Sequence, residues 1–192
     1  MSASLTSPIQ VVNYALARIG YKIRVGNLWD GSEAAKRALD VYAETRDAML
    51  RVGDWGFAQK TAVAVASSVS PPYPWASAWV YPDDCLRVRN VYDPTIATVD
   101  VNNPAPSIWT IAYDDTWPNG RAIWTRTTSA TIVYQARVTD PSHWEPLFLD
   151  SFSLALGNNL RAVLIAKDDP NLVKLSAEEM MANTKLAMEL VG

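Results

Sequence analysis

The chain carries one cysteine and one histidine, Cys85 and His143, in 192 residues. A lone cysteine forms no internal disulfide, so the fold does not rest on an oxidising compartment. A lone histidine limits acid–base chemistry to one place, between Ser142 and Trp144 beside an expected helix start, where capping or a surface position is the simplest role. A Cys85 nucleophile would need a basic partner, and its neighbour Leu86 and strand setting favour an inert buried thiol. No serine stands in a G-x-S-x-G elbow, and no phosphate-binding or dinucleotide glycine pattern occurs. No apolar run approaches the ~20 residues that span a bilayer. Residues Met1 to Ser7 carry neither the basic nor the apolar block of a signal peptide. The expectation is a soluble protein made in a cytoplasm, not an enzyme, with no catalytic residues, metal or cofactor. A net charge of −3 argues against holding nucleic acid by counterion release as the main task.

The most informative absence is regional. From Val52 to Thr139 there is one leucine (Leu86), no methionine and no glutamate, and Lys60 is the sole lysine. The same span holds six of the eight tryptophans, five of the eight tyrosines and eight of the twelve prolines. Leu, Met and Glu lose little rotamer freedom in a helix, whereas Val, Thr, Trp and Tyr suit a pleated, half-buried surface. The switch falls in Leu50 to Phe57, where Gly53 and Gly56 free the backbone to turn and Trp55 and Phe57 are the candidate junction aromatics. The expected fold is α+β: a four-helix bundle from 1–51 and 140–192, with a β-rich insertion at 52–139 between helices two and three.

In chain order, Ser7-Pro8 opens a helix striped by Ile9, Val12, Leu16 and Ile19 and closed by Gly20. Residues 21–31 read as a loop anchored by Trp29. A second helix begins at Asp30 or Ser32 and buries Ala35, Ala38, Leu39, Tyr42 and Met49. Strands are expected at Thr61–Ala66, Trp75–Tyr81, Leu86–Tyr92, Ile108–Tyr113, Arg121–Thr125 and Thr131–Val138, giving a small antiparallel sandwich or barrel-like sheet. A third helix spans about Glu145 to Lys167, with Leu147, Phe148, Phe152, Leu156, Leu160, Val163 and Leu164 on its apolar face. Asp169-Pro170 opens a fourth, ending near Leu190.

Three acidic pairs, Asp83/Asp84, Asp114/Asp115 and Asp168/Asp169, lie at turns or beside prolines, where aspartates bond to local N–H groups. That chemistry is favoured over the alternative, calcium at one of the pairs, because no loop has EF-hand spacing. Trp75, Trp79, Trp109, Trp117 and Trp124 could form a stacking platform for sugars or bases, or fill a small core and its contacts. Arg87, Arg89, Arg121, Arg126 and Arg137 make at most a modest basic strip. The alternative from this aromatic content is a carbohydrate- or receptor-binding module using the Trp-rich sheet.

The order of certain short motifs resembles the head-to-tail adaptors of tailed bacteriophages, the tail tubular protein A family. The first helix ends in x-A-L-x-x-I-G, here Tyr14 to Gly20. The second leads to a W-x-F step, here Trp55-Gly56-Phe57. A Tyr-Pro-Asp-Asp-x-Leu segment, here Tyr81 to Leu86, enters a strand. The closing helices resemble Phe148 to Ala166 followed by an Asp-Asp-Pro restart. The resemblance implies a virion protein at the head–tail junction. It would form a ring of copies of itself, twelvefold by expectation, under the portal protein, extending the DNA channel and docking the next tail component. DNA would pass without specific binding, and no membrane is involved. The Trp-rich composition of the insertion matches interface cores, which makes Trp109, Trp117, Asn119 and Trp124 the candidate interface residues.

Overall fold

The computed structural model describes residues 6–96, 107–113 and 120–164. Helix α1 (Pro8–Arg18) starts after Ser7, and Gln10 reaches back to accept the Ser7 N–H at 3.2 Å. Val11, Val12, Ala15 and Leu16 form its buried stripe. Gly20, at φ +75°, turns the chain away in a conformation that L side chains disfavour. Helix α2 (Glu33–Val52) is capped by Ser32, whose hydroxyl accepts the Ala35 N–H at 3.2 Å. It buries Ala34, Ala35, Ala38 and Leu50, together with Thr45 and Arg46. Helix α3 (Pro146–Leu164) buries Phe148, Phe152, Leu156 and Leu160, a strict four-residue spacing.

α1 and α2 both pack on α3. A Cβ added at Gly157 would lie 3.0 Å from the Ala15 carbonyl oxygen, so α1 rests on bare α3 backbone there. Arg18 pairs with Asp150, and the Tyr14 hydroxyl donates to the same carboxylate at 3.3 Å. Asn159 donates to the Thr45 hydroxyl at 2.9 Å, tying α2 to α3. At the top of α3 the Phe148 ring meets Trp55, Phe57 and Trp144 edge-on, with centroids 5.0, 5.2 and 5.0 Å away. The Trp55 indole folds back over Gly53 and donates to the Met49 carbonyl at 2.9 Å, and any side chain at 53 would collide with it.

Among the described residues there are three helices and two three-stranded antiparallel sheets, which corrects the expected four-helix bundle with an inserted sheet. Among the described residues, the apolar face of α3 is covered by α1, α2 and the rings of Trp55, Phe57 and Trp144. The fourth helix expected before Leu190 falls outside the described residues. Trp29, expected as a loop anchor, is 80% exposed, and Leu147, expected on the buried face of α3, is 69% exposed.

The chain divides into two compact units, Met1–Phe57 with Val138–Gly192, and Ala58–Arg137. In the second unit, β1 (Gln59–Val63), β6 (Thr131–Ala136) and β3 (Cys85–Tyr92) form one sheet in the order β1-β6-β3. The other sheet runs β2-β5-β4, from β2 (Ser77–Val80), β5 (Arg121–Thr125) and β4 (Trp109–Tyr113). Val88, Val91, Ile132 and Tyr134 of the first sheet share a core with Trp79 and Ile123 of the second. The run Thr61–Ala66 does not stay in one sheet. Ala64 N–H still bonds the Ala130 carbonyl beside β6, whereas the Val65 carbonyl accepts Val80 N–H and Ser67 N–H reaches the Ala78 carbonyl beside β2. That corner splits what reads in sequence as a single strand.

Trp55→Ala and Phe57→Ala each remove a half-buried ring from Phe148 and should destabilise the protein by about 3 kcal/mol, the low end for aromatic truncations. Urea denaturation followed by circular dichroism checks this. Unchanged midpoints would show that Phe148 keeps its packing without them.

Candidate interface

The pleat of the β2-β5-β4 sheet sends successive side chains to opposite faces. Trp79, Ile123, Ile111 and Trp109 point into the shared core, Trp109 being half-buried at its margin. The Trp79 indole donates to the buried Thr125 hydroxyl at 2.9 Å, and that hydroxyl donates in turn to the Thr127 carbonyl at 3.0 Å. On the other face, Ala78 and Ala122 make a flat floor against which Trp124 and Val69 pack. Trp124 stands in register between Ala78 of β2 and Thr110 of β4. Trp75 tilts against it, centroids 6.3 Å apart at 48°. Tyr73, just before Trp75, is 97% exposed.

The tryptophans are therefore divided by the pleat rather than gathered on one platform. Trp79 and Trp109 serve the core, and Trp75 and Trp124 form an outward pair. Trp117 and Asn119 lie outside the described residues, as do Asp114 and Asp115. The basic strip is divided too. Arg121 places its guanidinium 4.4 Å over the Tyr81 ring, a cation–π contact, while Arg87 and Arg89 lie on β3 in the other sheet.

Cys85 is buried, and burial pushes its thiol up to about 11, far from a reactive thiolate. His143 is exposed in the short turn Pro141–His143, which Asp140 caps by accepting the Ser142 N–H at 2.9 Å. Among the described residues no group of three or more His, Cys, Asp and Glu is arranged to hold a metal ion. Among them, too, no helix is long and apolar enough to cross a membrane.

One polar cluster escaped sequence inspection because its members are far apart in the chain. Lys60 of β1 pairs with Asp84 at 2.6 Å, and the Tyr134 hydroxyl donates to the same carboxylate at 3.0 Å. Lys60 and Tyr134 are register partners on neighbouring strands, so the turn before β3 is fastened to both. The sequence signal was present: Lys60 is the lone lysine of the β-rich segment. Burial alone would raise the Asp84 carboxyl, but the hydrogen bonds from Lys60 and Tyr134 outweigh it and hold the group below its ordinary 3.8.

A carboxyl whose folded value is lowered stabilises the fold above its unfolded value, and that contribution fades as pH falls through the folded one. Acidification from neutral pH to below 3.8 should therefore erode the wild-type urea midpoint more than that of Asp84→Asn. Parallel pH profiles for the two proteins would show that the Lys60–Asp84–Tyr134 cluster adds nothing to folding.

No protein-family model matches this chain, and a search of curated proteins returns no significant match.

Proposed function

We propose that this protein is a structural head-to-tail adaptor of a tailed bacteriophage, without catalytic activity, assembling as a ring beneath the portal. The observation that carries the reading is where the family-like motifs fall. Tyr14 to Gly20 closes α1, with Gly20 in the left-handed conformation. Trp55-Gly56-Phe57 leaves α2 through a short helical turn and leads directly into β1. Tyr81 to Leu86 enters β3 through a turn in which Cys85 N–H bonds the Pro82 carbonyl at 3.0 Å. These three motifs mark points where one element hands over to the next, and that placement supports the reading. An adaptor's task is geometric: surfaces for the portal, for neighbours and for the tail, around a channel through which DNA passes. A mildly acidic protein suits that passage, because a strongly basic lumen would retain DNA.

The outward Trp75–Trp124 pair favours a second reading, a carbohydrate- or receptor-binding module. Flat rings over a small-residue floor stack on the apolar face of a sugar.

Mass measurement of the protein with and without purified portal rings separates the two. An adaptor adds a full ring of copies to each portal. A chain that stays monomeric beside portal rings, and whose tryptophan fluorescence shifts with a glycan, would support the second reading against the first.

A further inference from the structure

Residues 67–76 lead from the corner after β1 into β2 and cross the outer face of the β2-β5-β4 sheet, where Val69 packs on Ala78 and Ala122. Their composition limits how they can be held. Pro71, Pro72 and Pro74 carry no N–H to give to a strand. Backbone bonds tie the segment to the sheet at its two ends, Ser67 N–H to the Ala78 carbonyl and Ala76 N–H to the Thr125 carbonyl, both at 2.9 Å. Between those ends its hydrogen bonds, among the described residues, are local. Val69 N–H reaches the Ser67 hydroxyl at 3.2 Å, and Trp75 N–H reaches the Pro72 carbonyl at 3.0 Å. The middle of the segment is therefore held to the sheet by side-chain packing.

That packing is small. Ala78 and Ala122 are 5% and 0% exposed; Val69 lies on them beside Trp124, and Trp75 tilts against the Trp124 ring. The two buried alanines form a cluster of their own, apart from the ten buried residues of the main core. A satellite cluster beneath a loop gives way at much lower cost than a main core, so it opens first. Solvent already surrounds the other side of the segment: Pro72, Tyr73 and Pro74 are exposed, Tyr73 at 97%. Lifting the segment about its tied ends breaks the contacts of Val69 and Trp75 and leaves the pairing of β5 with β2 and β4 in place.

We propose that residues 67–76 form a lid that opens locally, about Ser67 and Ala76, while the rest of the β unit stays folded. Closed, the lid fills the alanine floor with its own Val69. Open, it offers that floor, beside Trp124, to an apolar group of a ligand, which must displace Val69 to bind. The Val69 contact is thus autoinhibitory, and the open fraction scales the apparent affinity of any such ligand. The proposal goes beyond the adaptor reading and does not rest on it.

Thiol labelling of the full chain tests it, because Cys85 supplies an internal reference. Cys85 is buried in the main core and reacts when that core opens. Ala78→Cys places a second thiol beneath the lid, with an unchanged urea midpoint as the folding control. Ala122→Cys, on the same floor, takes its place if that control fails. Each rate is divided by that of the same thiol in the urea-unfolded chain. Under native conditions the Ala78→Cys thiol should then label at least about tenfold faster than Cys85. Its rate should rise little with added urea, since a local opening exposes little surface, whereas the Cys85 rate should climb steeply. Adding Val69→Ser should make the floor thiol label faster still and leave Cys85 unchanged. Equal rates with parallel urea slopes for the two thiols would overturn the lid, as would floor labelling that ignores Val69→Ser. In the wild-type chain, which needs no new thiol, a Trp75 amide as protected from hydrogen exchange as those of β6 would overturn it too.

Discussion

The packing around Phe148 constrains everything else in the helical unit. This ring, fully buried on α3, touches four others: Trp55, Phe57 and Trp144 at near-perpendicular or tilted angles, and Phe152 stacked at 6.0 Å. The edge-to-face geometry sets positive ring edges against a negative face, worth about 0.5–1.5 kcal/mol per pair beyond the area buried. Its larger consequence is positional. The chain leaves the helical unit at Phe57 and returns at Val138. Phe57 is held by Phe148 and by its N–H to Glu145 at 3.1 Å, and the Trp144 indole donates to the Val138 carbonyl at 3.0 Å. Both crossings of the chain are thus fastened inside one aromatic cluster, so 80 intervening residues can fold as their own unit without loosening the helices.

Much of this was legible in sequence because composition and period report local structure. The loss of Leu, Met and Glu after Val52 marks the change from helix to strand within a few residues of where it occurs. The alternation in Thr131–Ala136 and the stripe in Pro8–Arg18 needed no tertiary information. Other features were hidden for identifiable reasons. Periodicity groups Leu147 with Phe148 as apolar but does not say which direction faces solvent. Nor does an aromatic in a loop declare itself buried or presented, as Trp29 shows. Arg46, buried on α2 beside Asp47 at 2.7 Å, looks in sequence like another solvated charge. The Lys60–Asp84–Tyr134 cluster depends on strand pairing, and the division of 61–66 between two sheets depends on a corner that no local pattern announces. The candidate interface fared in the same way. Alternation was enough to place Trp109 and Trp124 on strands, but only the register sends Trp109 inward and Trp124 outward.

The proposed adaptor would work by presenting surfaces to its partners. Exposed Trp29 sits on a hydrogen-bonded loop and exposed Leu147 and Leu154 on a packed helix, while half-buried Trp75 and Trp124 pack together over a sheet. Rigid presentation lowers the entropy lost when copies come together, which matters when one contact must be repeated around a ring.

Electron cryomicroscopy of the head–tail junction in phage particles that contain this chain tests the account most directly. The adaptor reading predicts a closed ring of copies of this chain beneath the portal. A junction without this chain, or one that holds it outside any ring, would contradict it.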